Sequence, residues 1–187
     1  MTDASLSRRE LRIARRLEAR GGGALFACLR SLRGVAMRER FELAELRAVG
    51  GEGAIYRVRD RADPRSRLLG KVALAAWHRP ARLSSKVLRR ARRVVEAEAR
   101  VLIVAGSPYL PHCEGLQQFD NPLLEAARGG EFARPEPCLV MEDVGGRDLD
   151  TWLCRVHRGG LDLPALRPTF DRLVADVLRA LADLEER

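Results

Sequence analysis

Three glycines surround Glu52 in the run Ala48-Val49-Gly50-Gly51-Glu52-Gly53-Ala54-Ile55-Tyr56, between two strand-like segments. Backbone amides reach phosphate oxygens only where no side chain intervenes, and turns of this kind use positive φ angles that glycine tolerates. The composition therefore suits a phosphate cradle, although a plain hairpin turn fits the same residues. Lys71 follows in another strand-like run and is one of only two lysines, with Lys86, among 34 basic residues. Glu96 and Glu98 lie further on, in a long helical segment. His78, His112 and His157, and Cys28, Cys113, Cys138 and Cys154, are dispersed with no pair at metal-ligand spacing, so neither a zinc site nor a disulfide framework is expected.

These groups need elements to hold them. Phe41 to Val49, Ala54 to Arg59 and Arg67 to Ala75 are short runs rich in Leu, Val, Ile and Tyr, separated by the glycine loop and by the turn-forming Asp63-Pro64-Arg65-Ser66. They predict three antiparallel strands. Ser84 to Ala105 reads as a long helix closed by Gly106-Ser107-Pro108, and Glu114 to Phe119 and Cys138 to Glu142 as two further strands. Between those two, Asn121-Pro122, Gly129-Gly130 and Pro135-Glu136-Pro137 read as an exposed insertion with one helical turn around Leu123 to Arg128. Helices are expected over Asp148 to Val156 and Ala165 to Glu186. The order implies an α+β fold, a five-stranded antiparallel sheet with one long helix packed on it.

The first forty residues have a different character. Leu11, Ile13, Ala14 and Leu17 recur at helical spacing among arginines from Leu6 to Arg20, giving a basic amphipathic helix that stops at Gly21-Gly22-Gly23, read as a hinge or linker. A shorter helix over Ala24 to Arg33 follows. Residues 1–40 thus read as an appendage.

In this order the residues resemble a bacterial serine/threonine protein kinase. Gly50 and Gly53 match the second and third glycines of the family's G-x-G-x-x-G-x-V loop, and Ile55 the apolar residue after them, while Ala48 replaces the first glycine. Lys71 stands where the family pairs a lysine with the α- and β-phosphates, in Leu68-Leu69-Gly70-Lys71 rather than V-A-I-K. The helix glutamate that orients this lysine is assigned to Glu98, because Leu102 lies one turn on where Glu96 has Arg100. Ser107-Pro108-Tyr109-Leu110-Pro111 resembles H-P-Y-[LI]-P. Leu139-Val140-Met141-Glu142-Asp143-Val144-Gly145-Gly146-Arg147-Asp148-Leu149 is similar to the hinge pattern L-V-M-E-Y-V-x-G-x-x-L. The resemblance makes Met141 the gatekeeper, gives Glu142 and Val144 main-chain contacts to adenine, and puts Asp148 near the ribose. Gly50, Gly51, Gly53, Ile55, Lys71 and Glu98 complete the implied ATP site.

The resemblance divides the chain into a basic helical extension (1–40), a kinase-like N-lobe with hinge (41–144) and the start of a helical C-lobe (145–187). The sequence contains neither H-R-D-x-x-x-x-N nor D-F-G, and its one asparagine, Asn121, precedes the hinge. No catalytic residue is assigned, magnesium is not expected to be held by this chain alone, and the chain reads as a truncated, inactive ATP-binding portion of a kinase. Two alternatives stay open: a pseudokinase-like interaction module, and a fragment of a small-molecule or lipopolysaccharide kinase.

The net charge of +8 comes almost wholly from arginine, and with the abundant Ala, Gly and Leu this fits the compositional bias of a GC-rich genome. Arg8, Arg9, Arg12, Arg15 and Arg16 form one cluster, and Arg89, Arg90, Arg92 and Arg93 another, able to meet an acidic protein or an anionic membrane surface. Aromatics are sparse near both, so nucleic acid is not an expected partner. No membrane span or signal peptide is evident, which makes the cytoplasm the default location.

Overall fold

Residue alternation builds the sheet. Along Gly53–Asp60, Ala54, Tyr56, Val58 and Asp60 are buried on one side, while Ile55 is half-buried and Arg57 and Arg59 are exposed on the other. The computed structural model describes residues 6–51, 53–74, 84–105, 110–122, 124, 135–145 and 163–185. Their elements run α1 (Arg8–Glu18), α2 (Gly23–Ser31), β1 (Ala36–Met37), β2 (Phe41–Val49), β3 (Gly53–Asp60), β4 (Leu68–Ala73), α3 (Ser85–Ala105), β5 (Cys113–Phe119), β6 (Glu136–Glu142) and α4 (Leu163–Glu185). Among them no helix is long and apolar enough to cross a membrane. The helix expected over Asp148 to Val156, the Ser107-Pro108-Tyr109 segment and, apart from Leu124, the turn over Leu123 to Arg128 lie outside the described residues.

Among the described residues the sheet has six strands, not five, in the order β1-β2-β3-β4-β6-β5, with antiparallel pairing throughout. The additional strand is Ala36–Met37, which turns back through Arg38 at φ 50° to pair with Phe41 and Glu42. Two residues carry no readable alternation, which is why the pattern missed it. A second correction concerns Glu136 and Pro137. They are buried residues of β6, not part of an exposed insertion. Pro137 is tolerated there because pairing with β4 stops at Cys138, leaving it only β5 as neighbour.

Both faces of the sheet are covered. On one, Leu25, Leu29 and Leu32 join Phe41, Leu43, Leu46, Tyr56, Val58 and Val140 in the larger core. On the other, Val95 and Ala99 of α3 pack against Ala73 and Leu139. The arginine-rich extension and α2 therefore share the main core with β2 and β3. Ser7 caps α1 reciprocally: its Oγ accepts from Glu10 N (3.1 Å), and its N donates to Glu10 Oε2 (3.0 Å). Ser7 also hydrogen-bonds the Glu45 carboxyl, the chief influence holding that group below its ordinary pKa. Gly22 N donates to Leu17 O (2.7 Å) with Gly21 left-handed at φ 70°, so the triple glycine ends α1 in a tight turn. The buried Tyr56 hydroxyl donates to Leu29 O (2.7 Å), fastening α2 to β3, and burial pushes the phenol pKa up.

Arg40 ties two strands of the curled sheet. Its guanidinium donates to Asp60 at the end of β3 (2.7 Å), lies 3.4 Å from Glu114 in β5, and sits 4.5 Å from the centre of the Phe41 ring. Asp60 also accepts from Ala62 N, and the Arg40 hydrogen bond is the main reason its carboxyl is held below the usual aspartate range.

Two outcomes follow. A Cβ built on Gly70 would lie 2.8 Å from Val58 Cγ2 and 2.9 Å from Cys138 Sγ, inside the core. Gly70→Ala is therefore expected to lower stability by roughly 1–3 kcal/mol in chemical denaturation. Asp60 stabilises the fold fully above the pH where a free aspartate ionises, about 4, and this contribution is lost as pH falls through its lower folded value. Acid unfolding of Asp60→Asn should accordingly show a shallower pH dependence below about 4 than wild type.

Candidate functional site

Antiparallel register places Ile55, Lys71 and Leu139 side by side across β3, β4 and β6, facing α3. Val95 and Ala99 seat α3 on this face, with Leu102 packed at the margin of the same cluster. Glu98 projects from the helix between them and accepts a short hydrogen bond from Lys71 Nζ. The pair is partly exposed, with Lys71 at 21% and Glu98 at 36%, so the ammonium is oriented by protein yet reachable from solvent. Glu96, two residues earlier, is half-buried and is not the lysine's partner.

A second ion pair holds the same helix. Arg92 donates to Glu136 Oε1 through Nε (3.0 Å) and a terminal nitrogen (2.5 Å), and Glu136 is 1% exposed. Burial raises the Glu136 pKa and the arginine opposes that rise. The partners are 44 residues apart, and no local pattern signals the contact.

The glycine loop closes in four residues. Val49 pairs with Ala54, and Gly50 N donates to Gly53 O (2.9 Å). Neither Gly50 nor Gly51 uses the left-handed backbone that such loops were expected to require, and Glu52 lies outside the described residues. Smallness matters instead at Gly53, which lies beneath the lysine stem: a Cβ there would stand 3.1 Å from Lys71 Cε and 3.0 Å from Val72 O. Loop and lysine are thus in van der Waals contact.

At the far end of β6, Met141 pairs with Leu69 on the face that carries Lys71, two positions along β4. Glu142 N donates to His112 O (2.8 Å) and Asp143 N to Arg67 O (2.7 Å). Asp143 Oδ1 then accepts from Gly145 N (3.0 Å), turning the chain through Gly145 at φ 71° with Val144 exposed. Arg67 lies 3.8 Å from Asp143 and flanks this turn. Asp148 lies outside the described residues, so the structure brings together the loop, Ile55, Lys71, Glu98 and Met141, and sets Glu142 and Val144 at the exit of β6.

Among the described residues no group of three His, Cys, Asp or Glu side chains is placed to hold a metal ion. A cavity of about 520 Å³ lies elsewhere, over β2 and β3 beside the start of α1, lined by Ser7, Glu10, Glu42, Glu45, Arg57 and Arg59 among others. None of the residues just described lines it, and the chemistry of Lys71 and Glu98 is not located there.

No protein-family model and no curated protein sequence matches the chain. In three dimensions it is similar to the crystal structure of the PknI kinase domain of Mycobacterium tuberculosis, in a cysteine-to-alanine variant, with a TM-score of 0.52. The chain has a protein-kinase-like fold. The match covers 82% of this chain at 19% identity, and 51% of the kinase domain, so the chain spans about half the length of that neighbour.

Within this fold the two ion pairs of α3 are separable by mutation. Arg92→Ala strands a buried carboxylate and is expected to destabilise by roughly 3–5 kcal/mol, whereas Glu136→Gln, which removes the buried charge, should cost clearly less. Denaturant titration of the two variants checks the order.

Proposed function

We propose that this chain is the nucleotide-facing lobe of a kinase-like phosphotransferase, with ATP as its ligand and protein serine or threonine as the acceptor class of the intact fold. The observation that carries the reading is the Lys71–Glu98 pair lying against Gly53 at the base of the glycine loop. A lysine held by one carboxylate but still open to solvent offers a positioned point charge for phosphate oxygens, and the adjacent loop offers backbone amides. Gly50, Gly51 and Ile55 complete the roof of such a site. Met141, Glu142 and Val144 supply its inner wall and the main-chain groups that would meet adenine, and Asp148 is assigned the ribose end.

Bound ATP would supply the transferable phosphoryl group. This chain's own residues would orient and neutralise it: Lys71 would meet the phosphates, with Glu98 keeping the ammonium in place. Magnesium has no ligand set among the residues assigned here, and the motifs that orient an acceptor hydroxyl are not in the sequence. The chain alone is therefore proposed to hold nucleotide weakly and to transfer no phosphate.

One observation favours a second reading, a non-catalytic interaction module. Leu69 stands opposite Met141 where the resembled family has a small residue, and its bulk narrows the space for a base on that face.

Thermal-shift titration with ATP and magnesium separates the two. At ATP about ten times above its dissociation constant, wild type should gain about 3–6 °C and Lys71→Met clearly less. Equal gains in both proteins would sink the site assignment. No gain in wild type would favour the interaction module.

A further inference from the structure

The arginine face of α1 is not used by the nucleotide reading. At 3.6 residues per turn, Arg8, Arg9, Arg12, Arg15 and Arg16 fall within about 120° of arc on one side of the helix. All five are exposed. The opposite side is committed: Glu10 and Ala14 are buried, and Ile13 and Leu17 pack against the main core. The helix cannot roll, so its arginines are fixed toward solvent.

Little within the described residues offsets these charges. Among the described residues none of the five arginines is in an ion pair; Arg9 comes nearest, contributing a minor electrostatic influence on Glu45. Arg8 and Arg12, and Arg12 and Arg16, are like charges one turn apart, an arrangement that opposes helix formation. A dense array of negative charge outside the protein would reverse that penalty.

The shape of the face selects among anionic partners. One helix flank is convex, so it cannot enclose a small anion. The 11 residues of α1 make it about 16 Å long and about 10 Å across, a footprint of roughly 160 Å², far short of the roughly 800 Å² per partner of a stable protein interface. It carries no aromatic side chain for stacking on bases. A bilayer surface needs neither a groove nor a large matched area: it offers many phosphates in a plane, each able to take a guanidinium in bidentate contact. Leu11, 41% exposed at the margin of the arginine arc, adds a shallow apolar contact at headgroup depth.

We propose that the arginine face of α1 docks the protein on anionic phospholipid membranes, peripherally and by electrostatics. The binding is independent of the nucleotide site. Because guanidinium contacts to an exposed surface are screened, it weakens steeply with salt.

Co-sedimentation of the full chain with phosphatidylglycerol-containing vesicles and with neutral phosphatidylcholine vesicles tests this, at 50 mM and 500 mM NaCl. The expected result is binding to the anionic vesicles alone, lost at high salt, and reduced at least tenfold in Arg8→Gln/Arg12→Gln/Arg15→Gln/Arg16→Gln. If that variant misfolds by circular dichroism, Arg12→Gln/Arg16→Gln, which leaves cap and buried face untouched, takes its place with a smaller loss. Arg89→Gln/Arg90→Gln/Arg93→Gln removes comparable charge from α3, across the sheet, and should bind as wild type does. Equal loss in the α3 variant, undiminished binding in the α1 variants, or equal binding to neutral vesicles would overturn the proposal. So would tighter binding to duplex DNA than to anionic vesicles at the same salt, if the α1 variants abolish it.

Discussion

The position of α3 on the sheet is the constraint from which the site follows. Packing of Val95 and Ala99 against Ala73 and Leu139 supplies adhesion, but apolar contact is non-directional and would tolerate rotation of the helix about its axis. Two ion pairs remove that freedom. Arg92 reaches Glu136 in β6, and Glu98, six residues on and about 9 Å along the axis, reaches Lys71 in β4. Anchored to two neighbouring strands at two heights, the helix has one rotation and one height available. Lys71 thereby acquires its direction, and with it the relation between β4 and the glycine loop.

The two pairs differ in character. Glu136 is buried, and a buried ion pair contributes little net stability relative to apolar residues of similar volume; its effect is to penalise every arrangement in which the partners separate. Glu98 and Lys71 are partly exposed, where water screens their attraction and the pair can exchange partners with a solvent ion or ligand at modest cost. The fold thus holds α3 by its buried pair and leaves the other pair adjustable.

Much of this was legible in the sequence, for physical reasons that differ by residue. Strand alternation and turn chemistry are local, so β2 to β5 fell within a residue or two of where Leu, Val, Ile and Tyr recur between turns. The partner of Lys71 was readable because helical spacing is also local: Leu102 one turn beyond Glu98 marks the side of α3 that meets the sheet, whereas Arg100 beyond Glu96 marks the solvent side. Contacts between distant segments were not legible. Glu136, flanked by two prolines, looks like loop and becomes the buried partner of Arg92 only once β6 is laid beside β5. Amphipathicity showed that α1 had a face to bury, without saying that β2 would receive it through Ser7 and Glu45. Met141 and Leu69 were separately visible, but their adjacency is a property of register.

The hydrogen bond from Tyr56 to the Leu29 carbonyl has a consequence for where this molecule begins as a folding unit. A kinase-like lobe trimmed to start at Phe41 would keep every strand from β2 onward, and with them the lysine and the glycine loop. It would also expose the ring of Tyr56 and leave its hydroxyl without the acceptor that α2 provides. The buried core is therefore larger than the pattern by which the fold is recognised. Helices that look like an attached tail are the outer wall of the sheet, and the boundary drawn by resemblance passes through a single core.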